Sequence, residues 1–387
     1  MEQVIAYIDK QSSSSSGFAQ QWSSMKDLYE KKLWHQLTCN LIKNLTNDSF
    51  CQSTDLIALN DSLINDLKSR INPKSYAEMI VRITQVIVAK GSNHQQMSDL
   101  LIKVRDESMT NCLEGKVLCN SQLGEIYLSE KSDEKLKSVR EIIETTEEDL
   151  DKIDNITNVH SRFYQLSCKY YESIKDEANF YKQALKFLGC TDFDQMPLSV
   201  RQNWAYSIGI AALVGDKVLN YGELMTHGIL DSLKDATSNK NSWLVDLISA
   251  FSHGDLKKIN EMRPIWSKND RLKAHEARIS EKAFLLCLVE LLFNRPANSR
   301  SVKFEEIAKA TQLDIKMVDN LLMRALSLHL IEGKIDDINQ SITLTWLQPR
   351  VLDNSQIETM KGRLETWLST VGKMKNLLEV DTEGIVA

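Results

Sequence analysis

The residues that interrupt helices are scarce in this chain of 387 residues, which has 14 glycines and 5 prolines. Few such breakers favour a mainly α-helical fold. No stretch reaches the roughly 18 consecutive apolar residues that a membrane-spanning helix needs. The opening letters, MEQVIAYIDKQSSSSSG, include acidic side chains and no long apolar run, so they lack the pattern of a signal peptide. We therefore expect no membrane partner.

Sequence motifs of catalysis, metal binding and cofactor binding are also missing. The seven histidines form neither HxH nor HExxH, and the chain has no GxxxxGK[ST], GxGxxG or GxSxG motif. The seven cysteines are scattered and include no CxxC pair, which indicates reduced thiols in the cytoplasm or nucleus. We therefore expect that the chain has no catalytic, cofactor-binding or metal-binding residues and that the protein is not an enzyme.

An excess of positive charge is absent, because the net charge is -6. Nucleic acids and anionic lipids are usually bound by a basic face. The charge balance therefore argues against both as the main partner and leaves protein partners open.

A repeated segment is present, with NWAYSIGIAALVGD at 203–216 and SWLVDLISAFSHGD 39 residues later at 242–255. The shared residues are Trp204, Gly215 and Asp216 in the first copy and Trp243, Gly254 and Asp255 in the second. Asp176 marks a faint third copy. Such a period is typical of stacked helical pairs, in which the glycine ends one helix in a left-handed conformation, the aspartate caps the next, and the tryptophan fills the joint. The alternative is a chance likeness of two helical hairpins.

The N-terminal part carries helical stripes, such as the one that runs from Trp22 through Tyr29 and Leu33 to Leu41. The segment 129–154 is dense in charge with narrow apolar stripes. We interpret it as solvated helix faces, with a functional acidic patch as the alternative.

The region after Trp266 predicts the element order of a winged helix. A nearly all-apolar helix at 280–293 precedes a short strand at 302–304, helices at 304–311 and 314–330, and a hairpin at 331–347. Residues 280–350 are neutral. The basic residues are Lys282, Arg295, Arg300, Lys303, Lys309, Lys316, Arg324, Lys334 and Arg350; the acidic ones are Glu281, Glu290, Glu305, Glu306, Asp314, Asp319, Glu332, Asp336 and Asp337. A neutral module favours protein docking over DNA binding.

The tail predicts one long helix with a two-position heptad seam. Its apolar residues recur at alternating spacings of 3 and 4, and they are Ile357, Met360, Leu364, Trp367, Val371, Met374 and Leu378. Gly362 and Gly372 weaken an isolated helix by ~1 kcal/mol each relative to alanine. We therefore expect this helix to pack against partner helices; packing back onto its own chain is the alternative.

A helical-pair solenoid that runs into a winged helix resembles the PCI family of scaffold subunits. The stretches NRPANSRSVKFEEIAKAT (294–311), MRALSLHLIEGKIDD (323–337) and LTWLQPRVLDNSQIETMKGRLETW (344–367) are similar to a proteasome-lid member of that family. The resemblance implies a mainly α fold: a right-handed, TPR-like helical-pair solenoid, then a winged-helix module and a C-terminal bundle helix. The implied domains are N-terminal repeats at 1–155, a solenoid at 156–270, a winged helix at 271–350 and the heptad helix at 351–387.

The resemblance also implies a function and partners. Members of the family are non-catalytic scaffolds in hetero-oligomers, and in the lid they support degradation of ubiquitinated proteins. Winged helices of neighbouring subunits line up, and C-terminal helices gather in a bundle with those of other PCI subunits and of the deubiquitinase pair. A ubiquitin-receptor subunit is a further candidate partner.

Applied to this chain, the resemblance makes the seven seam residues the bundle face. It makes the hairpin a docking edge of the sheet, at Ile342, Thr343, Leu344, Thr345 and Trp346. Two alternatives remain open: a PCI subunit of the signalosome or of a translation-initiation complex, and a winged-helix nucleic-acid binder.

Overall fold

The computed structural model describes residues 2–14, 18–91, 94–110, 112–130, 132–193, 196–234, 241–295, 300–349 and 354–383. The chain divides into two compact units, Met1–Gln195 and Met196–Ala387. Helices dominate both units, as the scarcity of glycine and proline predicts.

Unit 1 is built from helices alone in its described part. The helices are α1 (Glu2–Ser14), α2 (Ala19–Glu30), α3 (Trp34–Thr46), α4 (Asp48–Ser53), α5 (Leu56–Leu59), α6 (Asn65–Leu67), α7 (Pro73–Ala89), α8 (His94–Ser108), α9 (Leu113–Ser129), α10 (Asp133–Leu150), α11 (Asn158–Ile174) and α12 (Glu177–Cys190). A π-helical turn, Asn60–Ile64, joins α5 to α6. The predicted stripe from Trp22 to Leu41 is divided between α2 and α3, because Lys32 adopts a left-handed conformation and Leu33 is exposed.

The second half of unit 1 is a stack of helical pairs. Helices α7, α9 and α11 contact one another in sequence, and α8, α10 and α12 pack against them as the second member of each pair. One continuous apolar core runs from α1 to α11, with Trp22, Phe50 and Phe163 fully buried in it. The helical repeats predicted for the N-terminal part are therefore confirmed, and α7, α9 and α11 form what we call the inner row of the stack.

Unit 2 begins with further helices and ends with the predicted winged helix. Its elements are α13 (Leu198–Val214), α14 (Gly222–Thr226), a 3-10 turn (Ile229–Leu233), α15 (Ser242–Ser252), α16 (Leu256–Trp266), α17 (Asp270–Ala274), α18 (Glu276–Phe293), β1 (Ser301–Lys303), α19 (Phe304–Thr311), α20 (Ile315–Ser327), β2 (Ile331–Asp336), β3 (Ser341–Leu347) and α21 (Asn354–Glu383). The apolar face of α18 packs with α19, α20 and the sheet around a core that includes Leu288, Ile307 and Leu322.

The sheet of the winged helix has three antiparallel strands in the order β1-β3-β2. Val302 of β1 lies opposite Ile342 of β3, and Ile335 of β2 lies opposite the same residue. A bulge between Glu332 and Gly333 interrupts the register of β2. Ile342 is therefore flanked on both sides and is fully buried.

Candidate interaction surfaces

Sites for chemistry are not evident in the part of the chain that the structure describes. Those residues contain no group of three or more histidine, cysteine, aspartate or glutamate side chains that could hold a metal ion. Among them there is also no helix long and apolar enough to cross a bilayer. The candidate functional features are therefore exposed surfaces and the contacts between neighbouring helices.

The second copy of the repeat has the geometry expected for it. Gly254 adopts φ +63° after α15, and the Asp255 amide donates to the Ala250 carbonyl at 2.9 Å. The Asp255 carboxylate accepts from the Lys258 amide at the start of α16, at 3.4 Å. This is a left-handed helix end followed by an aspartate cap.

The faint third copy has the same geometry with a different residue. Lys175 adopts φ 64°, the Asp176 amide donates to the Tyr171 carbonyl at 3.0 Å, and the Asp176 carboxylate accepts from the Asn179 amide at 3.2 Å. Only a left-handed residue and an aspartate are needed, so the turn forms here without glycine.

The first copy does not form this turn, which corrects the sequence interpretation. Gly215 has φ -60° and an extended conformation, and Asp216 caps no helix but pairs with Arg278 at 2.7 Å. The last carbonyls of α13 are instead bound by Lys282 of α18, whose Nζ donates to Ala212 at 3.1 Å and to Leu213 at 3.0 Å. The side chain of Lys282 on α18 thus satisfies the carbonyl groups at the end of α13, so a glycine in a left-handed conformation is not needed to satisfy them.

Lys282 is nearly fully buried among these groups. Burial lowers the pKa of Lys282 to about 7; the attraction of Asp216 opposes this shift, and repulsion from Arg278 adds to it. Two carbonyl acceptors compensate part of the cost of burying the ammonium group.

The two repeat tryptophans, predicted to fill the joint between neighbouring helical pairs, are not the most deeply buried residues between α13 and α15. Trp204 and Trp243 are only half-buried. The close approach occurs at Gly209, where an added Cβ would lie 2.7 Å from the Cδ2 atom of Leu244. Leu244, the neighbour of Trp243, is fully buried and supplies the packing.

The predicted sheet edge also needs a correction. Strand β3, which carries Ile342, Thr343, Leu344, Thr345 and Trp346, is the central strand. The first half of β3 pairs with β1, and the Leu344 amide donates to the Arg300 carbonyl at 2.9 Å. The edges of the sheet are therefore β1 and β2, and the hairpin presents β2 (Ile331–Asp336) rather than β3. Trp346 lies beyond β1 and is 42% exposed.

Helix α20 occupies the position of a recognition helix in a winged-helix module. Its solvent face mixes charge of both signs with the exposed apolar side chains of Ile315, Met317 and Met323. Arg324 is paired with Glu281 at 2.9 Å, so one of its two cations is already engaged. Lys316 is then the one basic residue that α20 still offers, whereas nucleic-acid binding usually needs several phosphate contacts.

Helix α21 exposes an apolar stripe from Ile357 to Leu378. All seven predicted seam residues are between 47% and 67% exposed. Leu368 and Leu377 extend the stripe at 71% and 65% exposure, and the heptad pattern missed them because they lie beside the two seam positions. The described residues of the chain do not cover the stripe.

A groove crosses the inner row of helices in unit 1, and no sequence motif indicates it. Its volume is about 460 Å³, and its walls come from α7, α9 and α11. Gln85, Gln122, Glu125, Arg162, Gln165 and Lys169 supply most of its polar groups. The spacing of three or four residues within each helix is the only signal that the sequence offers.

Comparisons with known proteins agree with this architecture. The family described as PSD13 N-terminal repeats matches residues 21–248, and the PCI domain matches residues 259–346. The chain is 31% identical to 26S proteasome non-ATPase regulatory subunit 13 homolog B of Arabidopsis thaliana, over 99% of both chains. It is 31% identical to 26S proteasome regulatory subunit RPN9 of Saccharomyces cerevisiae, over 94% of this chain and 93% of the relative.

A protein of translation initiation is a more distant relative. Eukaryotic translation initiation factor 3 subunit M of Phaeosphaeria nodorum is 23% identical over 40% of this chain and 35% of its own length. Five relatives that match over nearly the full length carry proteasome names. The chain belongs to the family of 26S proteasome non-ATPase regulatory subunit 13, with PSD13 N-terminal repeats followed by a PCI domain.

Proposed function

We propose that this chain is a non-catalytic scaffold subunit of the lid of the 26S proteasome regulatory particle. In this role it supports the degradation of ubiquitinated proteins by holding other subunits in place, in the cytoplasm and nucleus. The proposal rests on the family of the chain and on one observation above others, the uncovered apolar stripe of α21.

The stripe favours packing against other helices. Nine large apolar side chains, from Ile357 to Leu378, are 47% to 71% exposed. Burying the exposed half of such a side chain is worth ~1 kcal/mol, so a bundle of helices would gain several kcal/mol from this face. Gly362 and Gly372 lower the stability of the isolated helix, which makes partner helices the main source of its stabilisation. The expected partners are the C-terminal helices of other PCI subunits and of the deubiquitinase pair.

The winged helix supplies a second docking surface in this proposal. An edge strand offers unpaired amides and carbonyls to a neighbouring sheet. In this sheet the edge of the hairpin is β2, so we assign the docking of a neighbouring winged helix to residues 331–336, with Trp346 exposed nearby at the end of β3. We further propose that the chain has the four domains inferred from its sequence. These are the segments 1–155, 156–270, 271–350 and 351–387.

An affinity purification tests the proposal. Tagged full-length chain, a version that ends at Leu352 and two point variants, Trp367→Asp and Ser369→Asp, are expressed in cells, and the recovered proteins are identified by mass spectrometry. Trp367 lies in the seam and Ser369 on the opposite side of the same helix, so the two variants add the same charge in different places.

We expect lid and ATPase subunits with the full chain and with Ser369→Asp, and their depletion from Trp367→Asp and from the truncated chain. Recovery of the same subunits with all four would contradict the role of α21. Recovery of a signalosome or translation-initiation complex would contradict the assignment to the proteasome.

A further inference from the structure

The groove in unit 1 has a polar lining on an apolar floor. Val81, Leu118 and Ile126 contribute apolar surface from α7 and α9. Gln85 Nε2 donates to Gln122 Oε1 at 3.0 Å, and Lys169 pairs with Glu125 at 2.6 Å. These two contacts link neighbouring inner helices and hold the lining side chains in place.

Several polar groups of the groove are not used by the described part of the chain. Gln122 is only 4% exposed, yet its amide nitrogen donates no hydrogen bond there. Arg162 and Gln165 of α11 line the same groove and have no partner in the described chain. Because Glu125, the one acidic group of the lining, is paired with Lys169, the guanidinium of Arg162 leaves the groove with one unbalanced positive charge.

The dimensions suit an extended peptide. Packed helices lie 8–10 Å apart, so a path across three inner helices spans roughly 20 Å, or about six residues of extended chain. A glutamine side chain offers both a donor and an acceptor, as a peptide backbone does, and a guanidinium pairs with a carboxylate through two parallel hydrogen bonds. Concave faces of helical solenoids provide extended binding surfaces of this kind.

We propose that this groove binds an extended peptide segment of a partner protein, with the glutamines pairing with its backbone and Arg162 with an aspartate or glutamate side chain. The charge of the groove selects an acidic segment over a basic one. The proposal concerns the free chain and does not depend on the role of α21 or on assembly into a proteasome.

Fluorescence polarisation of the full-length chain tests it with two labelled pools of octapeptides. One pool has glutamate fixed at the fifth position and the other has lysine there; the remaining positions are randomised without charged residues. We expect the glutamate pool to bind at least about tenfold more tightly than the lysine pool, as hydrogen bonds to a charged partner predict. Arg162→Glu should remove or reverse this preference.

A matched control separates the groove from general electrostatics. Arg140 lies on α10, is exposed and pairs with Glu144, so Arg140→Glu makes the same charge change outside the groove. This variant should retain the preference within about twofold. Gln122→Leu, which removes the pair with Gln85, should weaken binding of both pools, because the backbone contacts are lost.

Three outcomes would overturn the proposal. Equal binding of the two pools would refute the preference for an acidic peptide. Equal effects of Arg162→Glu and Arg140→Glu would refute the groove as the binding site. Absence of peptide binding by a chain with a native circular dichroism spectrum would refute both claims. None of these results would bear on the purification experiment for α21, so the two proposals fail separately.

Discussion

The turn at Gly254, between α15 and α16, packs against the backbone of α18, and this contact allows a quantitative test of packing within unit 2. Gly254 has φ +63°, and a Cβ there would lie 2.8 Å from the Cα and 3.1 Å from the amide nitrogen of Cys287. These are backbone atoms of α18, which cannot move aside by rotating a side chain. Gly228 is a matched site in the same unit, with φ +66° and its nearest atom, Asp231 Oδ2, at 3.9 Å.

The two sites separate the cost of a left-handed alanine from the cost of a close contact. A left-handed conformation costs a residue with a Cβ roughly 1–2 kcal/mol, and overpacking a filled site adds typically 1–3 kcal/mol. We therefore expect Gly228→Ala to lower the free energy of unfolding by ~1 kcal/mol and Gly254→Ala by ~2–4 kcal/mol. Urea denaturation of the full chain, followed by circular dichroism, measures both. Equal losses in the two variants would refute the close packing of this turn against α18.

Three further predictions concern single side chains. Since burial lowers the pKa of Lys282 to about 7, the unfolded chain binds more protons than the folded chain above that pH. The free energy of unfolding of the wild type relative to Lys282→Met should therefore rise by ~2 kcal/mol between pH 7 and pH 9 in urea melts, and parallel pH profiles would contradict this. Trp243→Ala should lower the free energy of unfolding by only ~1–2 kcal/mol because the side chain is half-buried, whereas Leu244→Ala should lower it by ~2–5 kcal/mol. The reverse order in urea melts would mean that Trp243, and not Leu244, supplies most of the packing between α13 and α15. Trp367→Asp should leave the helical circular dichroism of the free chain unchanged, because this side chain is 67% exposed there; unfolding would mean that it packs within its own chain.

The seam of α21 could be predicted from the sequence because it depends only on spacing. Ile357, Leu364 and Trp367 fall on one side of any helix with 3.6 residues per turn. The same reasoning found the apolar α18 and the order of the winged-helix elements. Periodicity is a local property, so no knowledge of distant contacts was needed.

The errors arise where a distant residue decides the local structure. Gly215 and Gly254 precede the same residue, aspartate, and follow similar helices, yet Lys282 binds the end of α13 and changes the conformation of the first copy. Strand β3 is central because a three-residue strand, β1, pairs with its first half. The groove unites residues of three helices, from Gln85 to Lys169, and only the stacking of those helices brings them together.

The most direct test of the central claim is hydrogen exchange of the backbone amides of residues 357–378, measured in the free chain and in the purified complex that contains it. The account predicts fast exchange in the free chain, because the apolar side of α21 is uncovered. It predicts strong protection in the complex, where partner helices cover that side. Equal exchange in both states would contradict the assembly of this subunit through α21.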